Sequence, residues 1–321
     1  MKTLRTIILA CISSILIYLL VFTFLVKKPL TLGFIHEALQ VRAAYVQANP
    51  GPKLVIIAAS NGLFSYRAEV MEKILGLPCL NASTIGQFGL DIQIALGKKW
   101  LAPGDIVLMP LEYHSYALTN NEIENSDANG FIINYAPCLL RDLSWHRVLC
   151  VLFHYDLKYL ISAVLEMGLA KAGISRRFSK ATLTPQGDMQ GHTESRGMEY
   201  RGYLSSLTQA GPSDELLYKR FQGEIVLENF LKWAKEHGIL VIGTLPTVFN
   251  DRPISEKLIA KIASIYRSQG QEFLLLPNHS QYDRRCFFDT DYHLNEPSQI
   301  AHSQLMANYL QSRLRLAHEG N

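Results

Sequence analysis

The sequence predicts an α/β protein built as a three-layer αβα sandwich, with a mostly parallel five-stranded sheet behind one amino-terminal transmembrane helix. Two observations predict this. Five short apolar runs, at 54–58, 78–81, 106–111, 239–245 and 272–276, alternate with helical patterns at the spacing of βαβ units. Ahead of them, residues 6–26 form an uncharged stretch of 21 residues rich in Ile, Leu and Val.

At a rise of ~1.5 Å per residue that stretch spans a hydrocarbon core of ~30 Å. A cleaved leader would have a shorter apolar region and a small-residue cleavage site, whereas here Lys27-Lys28-Pro29 follows, so an uncleaved anchor over 1–28 is expected. Lys2, Arg5 and the terminal amine outweigh Lys27 and Lys28 by one charge. That places the amino terminus inside and the main domain on the periplasmic side of the cytoplasmic membrane. Residues 29–52 read as a stalk, with a helical pattern over 35–47 that ends at Asn49-Pro50-Gly51.

A domain over 53–317 follows, long enough for a substantial core, with an insertion at about 115–213. Its first strand stops at Ala59-Ser60-Asn61-Gly62, where Asn61-Gly62 reads as a sharp turn. Ser60 then stands at the carboxyl end of a buried strand, the edge where open α/β sheets bind ligands. The alternative is a helix cap, since serine accepts a hydrogen bond from a free amide. A helix over 66–75 ends at Gly76; the loop 81–86 and a helix over 90–101 come next. Glu112, Tyr113 and His114 follow the third strand at the same edge. Glu112 could bind a sugar hydroxyl or the polar end of an acyl donor, or pair with Arg67 or another cation.

Within the insertion, residues 145–172 carry an apolar and aromatic face (Leu149, Phe153, Tyr159, Val164, Leu165) that is read as core rather than as a membrane or partner surface. Residues 175–212 read as an exposed loop in which Tyr200, Tyr203, Arg196 and Arg201 could hold sugars. Helices over 214–237 and 254–268 precede the fourth and fifth strands, and a last helix begins near Pro297.

The net charge is +3, with no basic run or basic-aromatic stripe, so no nucleic-acid partner is expected. No CxxC occurs and no His/Cys spacing is read as a zinc site, so no metal and no cofactor are expected. Cys79, Cys138, Cys150 and Cys286 lie outside the anchor. In an oxidising compartment they permit disulfides, Cys138 with Cys150 as the local pair, or else stay as thiols.

Residues 287–295, Phe-Phe-Asp-Thr-Asp-Tyr-His-Leu-Asn, supply the chemistry that a serine lacks. A hydroxyl needs a base within reach, and the base needs a partner that fixes its tautomer. With the Ser60-Asn61 pair near the start of the domain, this ending resembles the SGNH (GDSL-like) hydrolase superfamily. The branch it is most similar to is the membrane-attached one associated with O-acylation of bacterial cell-surface polysaccharides. The resemblance covers about 50–312. It implies Ser60 as nucleophile, His293 as base and Asp289 as the acid, with Asp291 as the alternative. It also implies a Gly86 amide in the oxyanion hole.

Two departures stand out. The common spacing puts the acid at Thr290, and Glu112 occupies a block where many members have an Asn donor. The activity implied is serine-dependent O-acyl transfer, of acetyl in particular, to a polysaccharide or glycan. A membrane-bound O-acyltransferase is the implied partner. An esterase, and a non-catalytic scaffold of a polysaccharide assembly complex, are the rival readings.

Overall fold

The computed structural model describes residues 2–174, 178–207, 214–251 and 254–319. Contacts divide the chain into two units, one formed by Met1–Glu37 with Glu124–Phe178, the other by Ala38–Ile123 with Ser179–Asn321. The second unit carries the sheet, in strands β1 (Leu54–Ile56), β2 (Cys79–Asn81), β3 (Ile106–Met109), β4 (Leu240–Thr244) and β6 (Glu272–Leu274). All are parallel, in the order β2-β1-β3-β4-β6. A separate parallel pair joins β5 (Val248–Phe249) to β7 (Gln281–Tyr282).

The three layers follow from the period of two along a strand, which sends successive side chains to opposite faces. Val55, Val107, Met109 and Val241 pack with Leu90, Leu227, Phe230 and Ile262 on one face. Leu54, Ile56, Leu108 and Ile242 pack with Met71, Met306 and Leu310 on the other. The α/β sandwich expected from the apolar runs is therefore the fold observed. At the amino ends of β1 and β3, buried Asp105 accepts from the Lys53 ammonium at 2.7 Å and the Lys53 amide at 3.0 Å, fixing the two central strands in register.

The turn expected at Asn61-Gly62 is instead the start of a helix, Ser60–Ser65. Gly62 is there for space. A Cβ at this position would lie 2.0 Å from Ser83 Oγ and 2.9 Å from Ala58 Cβ, so glycine lets the loop after β2 close on the helix after β1. The loop expected over 175–212 is in part interior, because Thr184, Asp188, Met189 and His192 are buried in the sheet unit. Asp188 accepts from the Ala68 amide and Asn81 Nδ2, each at 2.9 Å, and from Thr184 Oγ1 at 3.0 Å. Its residues 175–177 and 208–212 lie outside the described ones.

In the first unit, helix Lys2–Leu25 includes a span, Thr3–Leu25, long and apolar enough to cross a membrane, as a leader sequence also would be. The apolar face at 145–172, expected to be core, is largely on the surface: Leu149, Phe153, Val164 and Leu165 are exposed and only Tyr159 is buried. Periodicity marks an apolar face without saying what covers it. All five cysteines, including Cys138 and Cys150, are free thiols.

Two outcomes follow. Gly62→Ala should cost about 1–3 kcal/mol through overpacking against Ser83, read as a lower urea midpoint at constant m. His302 is fully buried, with Nδ1 2.8 Å from the Tyr282 hydroxyl, and burial lowers its pKa to about 3. It is neutral in the fold and takes up a proton on unfolding, so the stability it confers is complete above the ordinary histidine value near 6.5. That stability declines as pH falls from there toward the folded value, by order 1 kcal/mol per pH unit. Stability measured from pH 7 to 5 should show one fewer proton taken up in His302→Asn than in the native chain.

Candidate functional site

Ser60 is the first residue of its helix, and the cap position belongs to Ala59, in extended geometry and without a side-chain cap bond. The capping alternative is thereby removed, and the Ser60 hydroxyl points elsewhere. It lies 2.8 Å from His293 Nε2 across 233 residues of sequence. His293 Nδ1 lies 2.7 Å from Asp289 Oδ1. With Nδ1–H donating to the carboxylate, Nε2 is left as the acceptor for the serine proton, a tautomer assigned from the partners.

The Ser60 helix also holds His293. The Phe64 ring stacks on the His293 ring at 4.2 Å and 10°. The Tyr292 carbonyl accepts from the Ser65 and Thr247 hydroxyls, each at 2.9 Å. Asp289 and His293 share one closed loop, in which the Phe288 amide donates to the His293 carbonyl at 2.8 Å and Phe287 bridges Leu294. Gln299 Nε2 donates to the carbonyls of Leu63 and Tyr66, at 3.0 and 2.9 Å, tying the end of the Ser60 helix to the last helix.

Glu112 follows β3 and is buried, with Oε2 3.3 Å from His114 Nδ1. Burial raises its carboxyl above the ordinary range, while His114, His293 and the Asn61 amide hold it down and Asp291 pushes it up. Glu112 thus faces the Ser60 helix and the base. It does not pair with Arg67, whose guanidinium binds Glu296 at 2.6 Å and Gln299 at 3.1 Å. Asn61 Nδ2 donates to the Pro110 carbonyl at 2.6 Å, joining the segment after β1 to the segment after β3. The strand order reverses between these two strands, with β2 on one side of β1 and β3 on the other, and a crevice opens at such a point.

Gly86 is exposed in the turn after β2, and a Cβ there would meet nothing within 4 Å. No neighbouring protein atom demands glycine there. Arg196 and Arg201 spend donors on the carbonyls of Gly191, Arg284 and Arg285. Tyr200 meets Phe288 edge-on, while Tyr203 is exposed.

Sequence reasoning missed Phe64, Ser65 and Thr247, which act on the base through packing and hydroxyls. It also missed His192, a buried imidazole edge-on to Phe64 at 5.1 Å, whose pKa burial lowers to about 3. In the first unit, Glu124, His146 and Cys150 bring ligand atoms within 4.8 Å of one another, close enough for a metal. The signal passed over is the four-residue spacing of His146 and Cys150, which a helix places on one face.

No family model and no curated protein matches this chain. Among solved structures, the protein YxiM of Bacillus subtilis is similar at a TM-score of 0.41 and 10% identity, over 82% of this chain and 57% of its own. The chain therefore spans less than two thirds of that protein's length.

Proposed function

We propose that this protein is a membrane-anchored serine acyl-transfer enzyme whose acceptor is a hydroxyl of a cell-surface or exported polysaccharide. One observation carries the chemistry: hydroxyl, imidazole and carboxylate stand in a hydrogen-bonded chain at 2.8 and 2.7 Å, at the carboxyl edge of a parallel sheet. Such a chain makes serine a nucleophile at neutral pH, which a lone hydroxyl is not.

In the reaction, His293 Nε2 takes the Ser60 proton as Oγ bonds to the ester carbonyl carbon. The amides of Ser60 and Gly86 receive the developing oxyanion. Collapse breaks the bond to the departing alcohol, which leaves with the proton from Nε2. A polysaccharide hydroxyl then gives its proton to Nε2 as its oxygen bonds to the acyl carbon; the bond from that carbon to Ser60 Oγ breaks, and Oγ takes the proton back from Nε2 as the acylated polymer leaves. Asp289 holds the ring and offsets the imidazolium charge. Glu112 accepts a hydrogen bond from the incoming hydroxyl.

The resemblance supports an acetyl group and a domain facing the periplasm. No soluble acetyl-CoA is present there, so the acyl group arrives across the membrane through a membrane-bound O-acyltransferase partner. With water as acceptor, the same machinery is an esterase.

The test is turnover of a chromogenic acetyl ester with and without an oligosaccharide acceptor, alongside polymer acylation in cells. Ser60→Ala should lose about 10⁴-fold or more in kcat, and Asp289→Asn about 10⁴-fold. Glu112→Gln should raise KM for the acceptor while sparing hydrolysis. Ester turnover and polymer acylation both unchanged in Ser60→Ala would leave a scaffold.

A further inference from the structure

We propose that helices Trp145–Phe153 and Leu157–Lys171 form a second membrane-embedded element. They would be seated in the leaflet at the carboxyl end of helix Lys2–Leu25, with lipid acyl chains covering their outer face. The inference is independent of the serine chemistry and rests on the amino-terminal helix crossing the bilayer.

Each helix has an exposed apolar face. Trp145, Leu149 and Phe153 recur every four residues along the first helix. Leu157, Ile161 and Leu165 do the same along the second. All six are exposed, Trp145 at 75% and Leu157 at 71%. Soluble proteins seldom leave so large an apolar surface in water, and a contiguous one marks a partner or a membrane.

What covers it is indicated by its neighbour within the same unit. The Phe153 ring stacks on Tyr18 at 5.8 Å, and Tyr155 meets Phe22 edge-on at 4.9 Å. The Tyr159 hydroxyl donates to the Val26 carbonyl. These contacts attach the apolar face sideways to the last turns of a helix that can span a bilayer. Tyr18 lies seven residues before Leu25, about 10 Å along the axis at ~1.5 Å per residue. A ring packed on Tyr18 is therefore below the level at which that helix leaves the hydrocarbon, and the exposed face to which Phe153 belongs meets the same solvent.

The pair lies in one leaflet rather than crossing. The helices have 9 and 15 residues, about 14 and 22 Å at ~1.5 Å per residue, short of the ~30 Å core, and they bend by 58° at their junction. At that junction Asp156 caps the second helix and bonds the Ser126 hydroxyl, polar groups that keep to the headgroup region. Exposed Lys158 and Lys171 and the tryptophan at the start suit an interfacial helix pair.

The test places Trp145 alone in the full chain, by Trp100→Phe and Trp233→Phe, and reconstitutes it in phosphatidylcholine vesicles with chain-brominated lipids. The expected result is a blue-shifted Trp145 emission, quenched at least twofold by bromines near the headgroup end of the chains, and at least threefold less quenched by acrylamide than free tryptophan. Full acrylamide access with no effect of bromolipid would overturn the proposal. Protection from acrylamide without bromolipid quenching would also overturn it, in favour of self-association or a protein partner.

Discussion

The contact between the Ser60 hydroxyl and the His293 imidazole is the constraint around which the sheet unit is arranged, because 233 residues separate the two groups in sequence. The sheet supplies one half. β1 is central and buried, so the segment leaving it emerges at a fixed place. The other half comes from the serine's own helix, whose Phe64 stacks on the base and whose Ser65 holds the carbonyl just before it. Ser60 and His293 are thus positioned by one six-residue helix, and a shift of that helix moves both together.

This dependence explains the density of polar fastening around so short an element. Gln299 holds its carboxyl end, Asn61 ties it to the end of β3, and Asn81 Nδ2 donates to the Gly62 carbonyl at 2.8 Å. Gly62 then admits the Ser83 loop at a distance no side chain would allow. A helix this short has little stability of its own, so these tertiary contacts hold it.

The strands were legible because a strand buried on both faces must be apolar along its length, and 54–58 and 106–111 state that without ambiguity. The histidine and its acid were legible only through resemblance, since no local rule links a residue near 60 to one near 293. Asp289 rather than Asp291 meets the ring because the loop closes between Phe288 and His293. The face at 145–171 was misread for a physical reason. A core and a bilayer both select apolar residues at helical spacing, so the pattern is the same whether protein or lipid completes it. Asp188 and His192 were hidden by polar, glycine-rich surroundings that resemble a solvated loop.

Glu112 shows how charge is balanced at this edge. Asp289 bonds the His293 ring; Glu112 does not, and burial works against its charge while His293 favours it. In the proposed reaction the imidazole becomes positive as the serine is acylated. An asparagine at position 112 would offer a donor to the oxyanion regardless of the state of His293. A glutamate, when ionised, offers an acceptor instead. In the proposed reaction that acceptor suits a second substrate that is a hydroxyl with a proton to give up.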